Sequence, residues 1–207
     1  MTEKVALVTG ASSGIGRATA FKLAENGYNV ALASRSEDKL WGIVDDVESE
    51  TDVRAIAVPT DVTDEIAVEE MITEVVDEFG HLDAVVNNAG LAWSGEVESM
   101  PTDHYKNTMD VNCDGMFYTA RAAIPHLKQS KGNIVFIGSI AGKYPRGGNP
   151  VYAASKWWTR GFALSLSAQI GDEGVGVTVI NPSEVRTDFN SEDGTAFEEN
   201  FEEGEVS

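Results

Sequence analysis

Six short runs of Val, Ile, Leu and Ala, at residues 4–9, 28–33, 53–58, 84–87, 133–138 and 175–180, are separated by longer stretches of helical periodicity. Apolar runs that are near-continuous rather than alternating belong to strands buried on both faces, as in a parallel sheet with helices packed above and below. The pattern therefore predicts an α/β fold with a doubly wound parallel sheet and helices on both faces. Helices are expected over 14–26, 37–49, 64–79, 103–128 and 151–171, several opened by an Asp or Ser able to cap free amides. A chain of 207 residues suffices for one core, so residues 1–189 are expected to form a single domain. Residues 190–207 are acidic and poor in aliphatic side chains, which predicts a lid or a disordered segment.

The chain carries 34 acidic against 15 basic residues, a net charge of −19. Such a surface repels nucleic acid and anionic membranes, so neither is expected as a partner. The last 24 residues hold 9 of the acids and the first 183 still hold 25 against 14 basic residues, so the excess is spread along the chain. This predicts a halophilic protein, because at 1 M salt the Debye length contracts to ~3 Å and self-repulsion is screened. The single cysteine, Cys113, excludes an internal disulfide, and His81, His104 and His126 are scattered; no metal site is expected. No apolar run approaches the ~20 residues of a membrane-spanning helix, and the first residues lead into a strand rather than a signal peptide. A cytoplasmic location is expected.

Between the first strand and the first helix lies Thr9-Gly10-Ala11-Ser12-Ser13-Gly14-Ile15-Gly16. Glycines there permit a tight turn and close approach of a ligand to the backbone, and the helix beginning beside them offers free amides and a positive dipole end. The turn is a candidate cradle for the pyrophosphate of a dinucleotide. Cofactor choice is read at the end of the second strand, 18 residues after Gly16, where an acidic side chain would accept the ribose hydroxyls of NAD. This chain has Ser34 and Arg35 instead, and a guanidinium favours a 2′-phosphate. NADP is therefore expected over NAD.

Tyr152 and Lys156 stand four residues apart within the last predicted helix, so they share a face one turn apart. A cation beside a phenol, whose pKa is ordinarily ~10, favours the phenolate and suits the hydroxyl for general acid–base work. The spacing also arises by chance on exposed helices, and it gains weight only in company. Together with Thr9-Gly10-x-x-x-Gly14-x-Gly16 and Asn87-Asn88-Ala89-Gly90 it resembles the short-chain dehydrogenase/reductase family over nearly the whole chain. The resemblance implies a Rossmann-type fold and a catalytic set of Asn112, Ser139, Tyr152 and Lys156. It places Gly10, Ser12, Ser13, Gly14, Ile15 and Gly16 at the pyrophosphate, Ser34 and Arg35 at the ribose, and Asp61 and Val62 at the adenine. Asn88, Ala89 and Gly90 fall on the adenosine side, and Pro182 and Thr187 near the nicotinamide.

By the same resemblance, Tyr152 exchanges a proton with the carbonyl or alcohol oxygen and Ser139 hydrogen-bonds that oxygen. Lys156 keeps the phenol acidic and holds the nicotinamide ribose, while Asn112 holds a water leading from Lys156 to solvent. The implied activity is interconversion of a carbonyl and a secondary alcohol on a small organic substrate such as a 3-oxoacyl group, a ketone or a polyol. A reductase of acyl chains carried on a protein would need a basic docking patch. A non-catalytic dinucleotide-binding redox sensor, or an inactive truncated homologue, is the rival from another class. Trp157 and Trp158 are expected either at a homo-oligomer interface or over the core, and Trp93, Tyr144 and Pro145 either at a substrate pocket or packed in their own loops. Two departures stand out. Ser183 occupies the place where the family usually has Gly, and the chain ends some 20 residues after Thr187, without the family's last strand, which would leave the sixth strand as an exposed edge.

Overall fold

The computed structural model describes residues 3–183. Thr187 and the segment 190–207 lie outside the described residues. Six parallel strands, β1 (Lys4–Thr9), β2 (Tyr28–Ser34), β3 (Ala55–Pro59), β4 (Ala84–Asn87), β5 (Asn133–Ile137) and β6 (Gly176–Ile180), form one sheet in the order β3-β2-β1-β4-β5-β6. The order reverses between β1 and β4, and the carboxyl ends of those strands open the crevice in which doubly wound sheets bind ligands.

The near-continuous apolar runs are explained by two cores, one on each face. Val5, Leu7, Phe136 and their neighbours pack under α3 (Glu65–Phe79), α5 (Gly115–Ser130) and α6 (Pro150–Ile170). On the other face Val8, Val30, Leu32 and Val86 pack under α1 (Gly14–Glu25) and α2 (Glu37–Glu50). That second layer stops short of β6, whose residues alternate between exposed and half-buried, with Ile180 49% exposed. The two sheet edges also differ. β3 ends in Pro59, which has no N–H to offer, and its Ala55 N–H is taken by Glu48 Oε1 at 2.9 Å. β6 runs Gly-Val-Thr-Val-Ile without a proline.

The helix expected over 103–128 is two helices. α4 (Thr102–Met109) gives way to one π turn, Asp110–Asp114, before α5 begins at Gly115. The wide turn carries Asn112 and Cys113 to fully buried positions, the usual setting for a π-bulge at a functional site. Gly115 then passes so near the β3–α3 loop that a Cβ on it would lie 2.8 Å from Val62 Cγ2. α3 starts as expected, with Asp64 accepting from the N–H groups of Ile66 and Ala67. No helix among the described residues is long and apolar enough to cross a membrane.

Candidate active site

The turn after β1 sits in the crevice between β1 and β4. Gly10 adopts a φ of 63° and Gly14 one of 52°, left-handed conformations that cost glycine little. Gly16 is required by space, since a Cβ there would lie 2.2 Å from the Gly10 carbonyl oxygen and 2.6 Å from Asn88 Nδ2. Asn88 Nδ2 donates to the Thr9 carbonyl at 2.8 Å and to the Gly10 carbonyl at 3.2 Å. The backbone N–H groups of Asn88 and Ala89 both donate to Thr9 Oγ1 at 3.0 Å. The end of β4 thus staples the turn in place. Ser13 at the N-cap of α1 makes no side-chain capping bond, and the first turn of α1 holds no acidic residue although the chain has 34. First-turn amides and a positive helix end are therefore left for an anion, which fits a dinucleotide pyrophosphate. Ser12 and Ser13 are half-buried, and Ile15 packs against the core under α1 and α2.

Ser34 ends β2 with its Oγ accepting from the Ser36 N–H at 3.2 Å, and Arg35 beside it is exposed. Asp61 accepts from the N–H and hydroxyl of Thr63 and so shapes the loop after β3, while Val62 is buried. At the end of β6, the Pro182 carbonyl accepts from the Ile140 N–H at 2.8 Å, and Asn181 Oδ1 is buried without a hydrogen-bond partner among the described residues. Ser183 carries no left-handed strain, because Lys131 is the only non-glycine residue with positive φ among the described residues.

The expected catalytic set converges where β5, the π turn and α6 meet. Ser139 follows β5 and opens the 3-10 turn Ile140–Gly142, its Oγ accepting from the Ala141 N–H at 3.1 Å and its side chain hydrogen-bonded to Tyr152. Tyr152 lies in the first turn of α6, which Pro150 begins. One turn on, Lys156 is 3% exposed, its Nζ donates to the Ile137 carbonyl at 2.9 Å, and it stands 5.7 Å from the centre of the Tyr152 ring. Asn112 is fully buried: its Oδ1 accepts from the Leu91 N–H at 2.8 Å. Its Nδ2 donates to the Leu91 carbonyl at 2.8 Å and to Ser155 Oγ at 3.0 Å. Both amide hydrogens of Asn112 are thereby used, leaving only a lone pair of Oδ1 for a water.

Gly90 lies near the catalytic set, where a Cβ on it would be 3.3 Å from Asn112 Oδ1 and 3.5 Å from Lys156 Nζ. One expectation needs correction. Lys156 was expected to make the phenol more acidic, yet the Tyr152 pKa is raised, because burial outweighs the opposing hydrogen bond from Ser139. Burial likewise brings the Lys156 ammonium down to about 8. The Cys113 thiol is itself pushed up to about 12 by burial and by Asp114. It is therefore protonated at neutral pH and supplies no counter-charge to Lys156.

The family profile described as short chain dehydrogenase matches residues 4–196, a span that includes this turn, these strand ends and the tyrosine–lysine pair. The chain belongs to the short chain dehydrogenase family. An uncharacterized oxidoreductase from Staphylococcus epidermidis is 37% identical over 198 residues, which cover 95% of this chain and 84% of that protein. An alcohol dehydrogenase from Thermococcus sibiricus, solved with 5-hydroxy-NADP, superposes with a TM-score of 0.84 at 31% identity, over 88% of this chain and 77% of its own. A 3-ketoacyl-(acyl-carrier-protein) reductase from Brucella melitensis, solved with NADH, has a TM-score of 0.84 at 27% identity, over 89% of this chain and 77% of its own.

Sequence reasoning missed three features of this short chain dehydrogenase. The break before Asn112 was signalled by Asp110, Asn112, Asp114 and Gly115, all poor helix formers, within six residues. Asn88 holds the turn through the Thr9 and Gly10 carbonyls, which nothing in its local sequence announces. Trp93 is buried and stacks on His104 at 3.6 Å between ring centres, with its Nε1 lacking a partner among the described residues. Of the paired tryptophans, Trp158 stacks on Phe162 and packs against the core, whereas Trp157 is 45% exposed. Tyr144 and Pro145 are exposed.

Proposed function

We propose that this short chain dehydrogenase interconverts a carbonyl and a secondary alcohol with NADP as cofactor and Tyr152 as the group that moves the proton. The observation that carries the reading is the hydrogen-bonded pair of Ser139 and Tyr152 held one helical turn from the buried ammonium of Lys156. Bound NADPH supplies the hydride in the reducing direction. Tyr152, kept protonated by its raised pKa, gives its proton to the carbonyl oxygen, and Ser139 hydrogen-bonds the same oxygen as negative charge develops. Lys156 offsets the charge left on the phenolate and is proposed to hold the nicotinamide ribose. Asn112 positions this set by fixing Leu91 and, through Ser155, the helix that carries Tyr152 and Lys156.

The turn from Gly10 to Gly16 is proposed to hold the pyrophosphate, Ser34 and Arg35 the phosphorylated ribose, Asp61 and Val62 the adenine, and Pro182 and Thr187 the nicotinamide. Following nicotinamide absorbance against a panel of ketones and aldehydes in molar salt tests the reading directly. Cofactor binding without turnover of any substrate would bring the redox-sensor reading forward. The substrate is proposed to be small, with 3-oxoacyl compounds included because a solved neighbour carries that description. Trp157 is proposed to face a second copy.

Arg35 sets the cofactor preference in this reading. A hydrogen bond to a charged group is worth about 1.5–3 kcal/mol, so Arg35→Ala is expected to weaken NADPH at least about ten-fold and leave NADH unchanged. Equal weakening of both, measured by titration, removes Arg35 from the phosphate. The net charge of −19 gives a separate expectation: the melting temperature rises as salt is taken from dilute buffer to molar concentration. A flat or falling dependence removes salt adaptation.

A further inference from the structure

Charge is divided along this chain in a way the net value conceals. From Gly115 to Gly171 there are seven basic residues and no acidic one, leaving all 34 acids and only eight bases to the rest. The acid-free stretch contains β5, Ser139, the loop before α6, Tyr152 and Lys156. Three of its cations are occupied: Arg121 pairs with Glu65, Lys128 pairs with Glu173, and Lys131 donates to the Glu173 carbonyl. Lys156 belongs to the site. Of the rest, Lys143 and Arg146 stand on the exposed loop 143–148, between Ser139 and Tyr152, and their side chains pair with none of the described residues.

Two cations unpaired with any described residue, on the loop leading into the helix of the proposed proton donor, are unusual on a surface where acids outnumber bases more than two to one. A second donor without an acceptor lies on the facing loop. The Gly95 N–H donates to the Gly148 carbonyl at 3.2 Å, which ties residues 91–95 to the cationic loop, and the buried Trp93 Nε1 is within that segment. A buried N–H left unmade costs about 1–3 kcal/mol, and a ligand oxygen would relieve it. Glu96 and Glu98 follow on the same facing loop and pair with neither Lys143 nor Arg146.

We infer that the carbonyl substrate of this site carries an anionic group, a carboxylate or a phosphate, and that Lys143 and Arg146 hold it. The inference rests on the proposed oxidoreductase activity and narrows its substrate class. The net charge of −19 therefore coexists with a local pair of cations on the loop leading into α6. Charge-assisted contacts of this kind discriminate between substrates that differ only in the anion.

The test compares kcat/KM for acetoacetate with that for its methyl ester, and for dihydroxyacetone phosphate with that for dihydroxyacetone, in the native chain and in Lys143→Gln/Arg146→Gln. Both positions are exposed, and melting curves and NADPH titration check that the variant is folded and loaded. The native chain is expected to prefer the anionic member of at least one pair, which tells carboxylate from phosphate. The double variant is expected to lower that anion-to-neutral ratio at least about ten-fold. A contact pair persists in molar salt while long-range attraction is screened, so a preference confined to dilute buffer overturns the assignment. A ratio unchanged by the variant, or a native preference for the neutral members, overturns it as well and leaves the oxidoreductase reading standing. Absence of turnover on all four compounds and on the wider ketone panel defeats both.

Discussion

Tyr152→Phe is expected to bind NADPH as tightly as the native chain and to turn over carbonyl substrates about a thousand-fold more slowly. A positioned general acid contributes ~10²–10⁴-fold, and the variant removes only the hydroxyl while the ring keeps its place in the first turn of α6. The phenol's raised pKa keeps the acid loaded throughout the neutral range. The pH profile of reduction is therefore governed by Lys156. Its amine, brought down to about 8 by burial, is charged below that value and loses its proton above it. Below pH 8 the ammonium offsets the phenolate forming on Tyr152, and above it that help disappears. Reduction is accordingly expected to be level at neutral pH and to fall above about pH 8, and Lys156→Met is expected to abolish that step along with most of the rate. Measured kcat/KM settles both points, and a Tyr152→Phe protein as active as the native one removes Tyr152 from the proton transfer.

Gly16→Ala is expected to be strongly damaging for the addition of a single methyl group. Its Cβ would come 2.2 Å from a backbone carbonyl and 2.6 Å from the amide of Asn88, the residue that staples the turn to β4. Neither neighbour is the movable end of a long side chain, so the turn must open. The cost is on the order of 3 kcal/mol, which for a chain of this size lowers the melting temperature by about 6–12 °C. NADPH affinity is lost with it, since the displaced turn is the proposed pyrophosphate cradle. Gly161→Ala supplies the contrast. It lies inside α6 with nothing within 4 Å of an added Cβ, so it is expected to gain about 0.5–1 kcal/mol from helix propensity. Calorimetry of the two variants checks the pair, and a Gly16→Ala protein that melts like the native chain shows that the turn has slack the geometry denies.

The sheet was legible because burial on both faces leaves its mark on composition. β1 and β4 fall where the apolar runs predicted, and β2, β3, β5 and β6 depart by two residues at most at either end. The turn from Gly10 to Gly16 was legible for a related reason, since glycine in that spacing answers a steric demand that the Gly16 contacts make explicit. What the sequence concealed depends on packing between distant segments. Asn112 was named by resemblance as holding a water, but its bonds to Leu91 and Ser155, 21 and 43 residues away, show only once the chain is folded. Gly90 and Asn88 are two residues apart, yet Asn88 bonds the turn after β1 while Gly90 lies against Asn112 and Lys156. The electrostatic effect of Lys156 on Tyr152 was misjudged for want of a burial value, and burial has no local signature in a tyrosine–lysine spacing.

The unequal edges of the sheet bear on how the protein is handled at the bench. Pro59 and the Glu48 bond to Ala55 seal β3 against a newcomer, whereas β6 offers five consecutive residues with Ile180 half in solvent and no helix of the described residues laid over its second face. Among the described residues the open ladder is at β6, so a purification tag or fusion joined to this chain belongs among helical or charged designs. A β-prone one would offer each chain a template for the next, and precipitation in concentrated samples would start from that side.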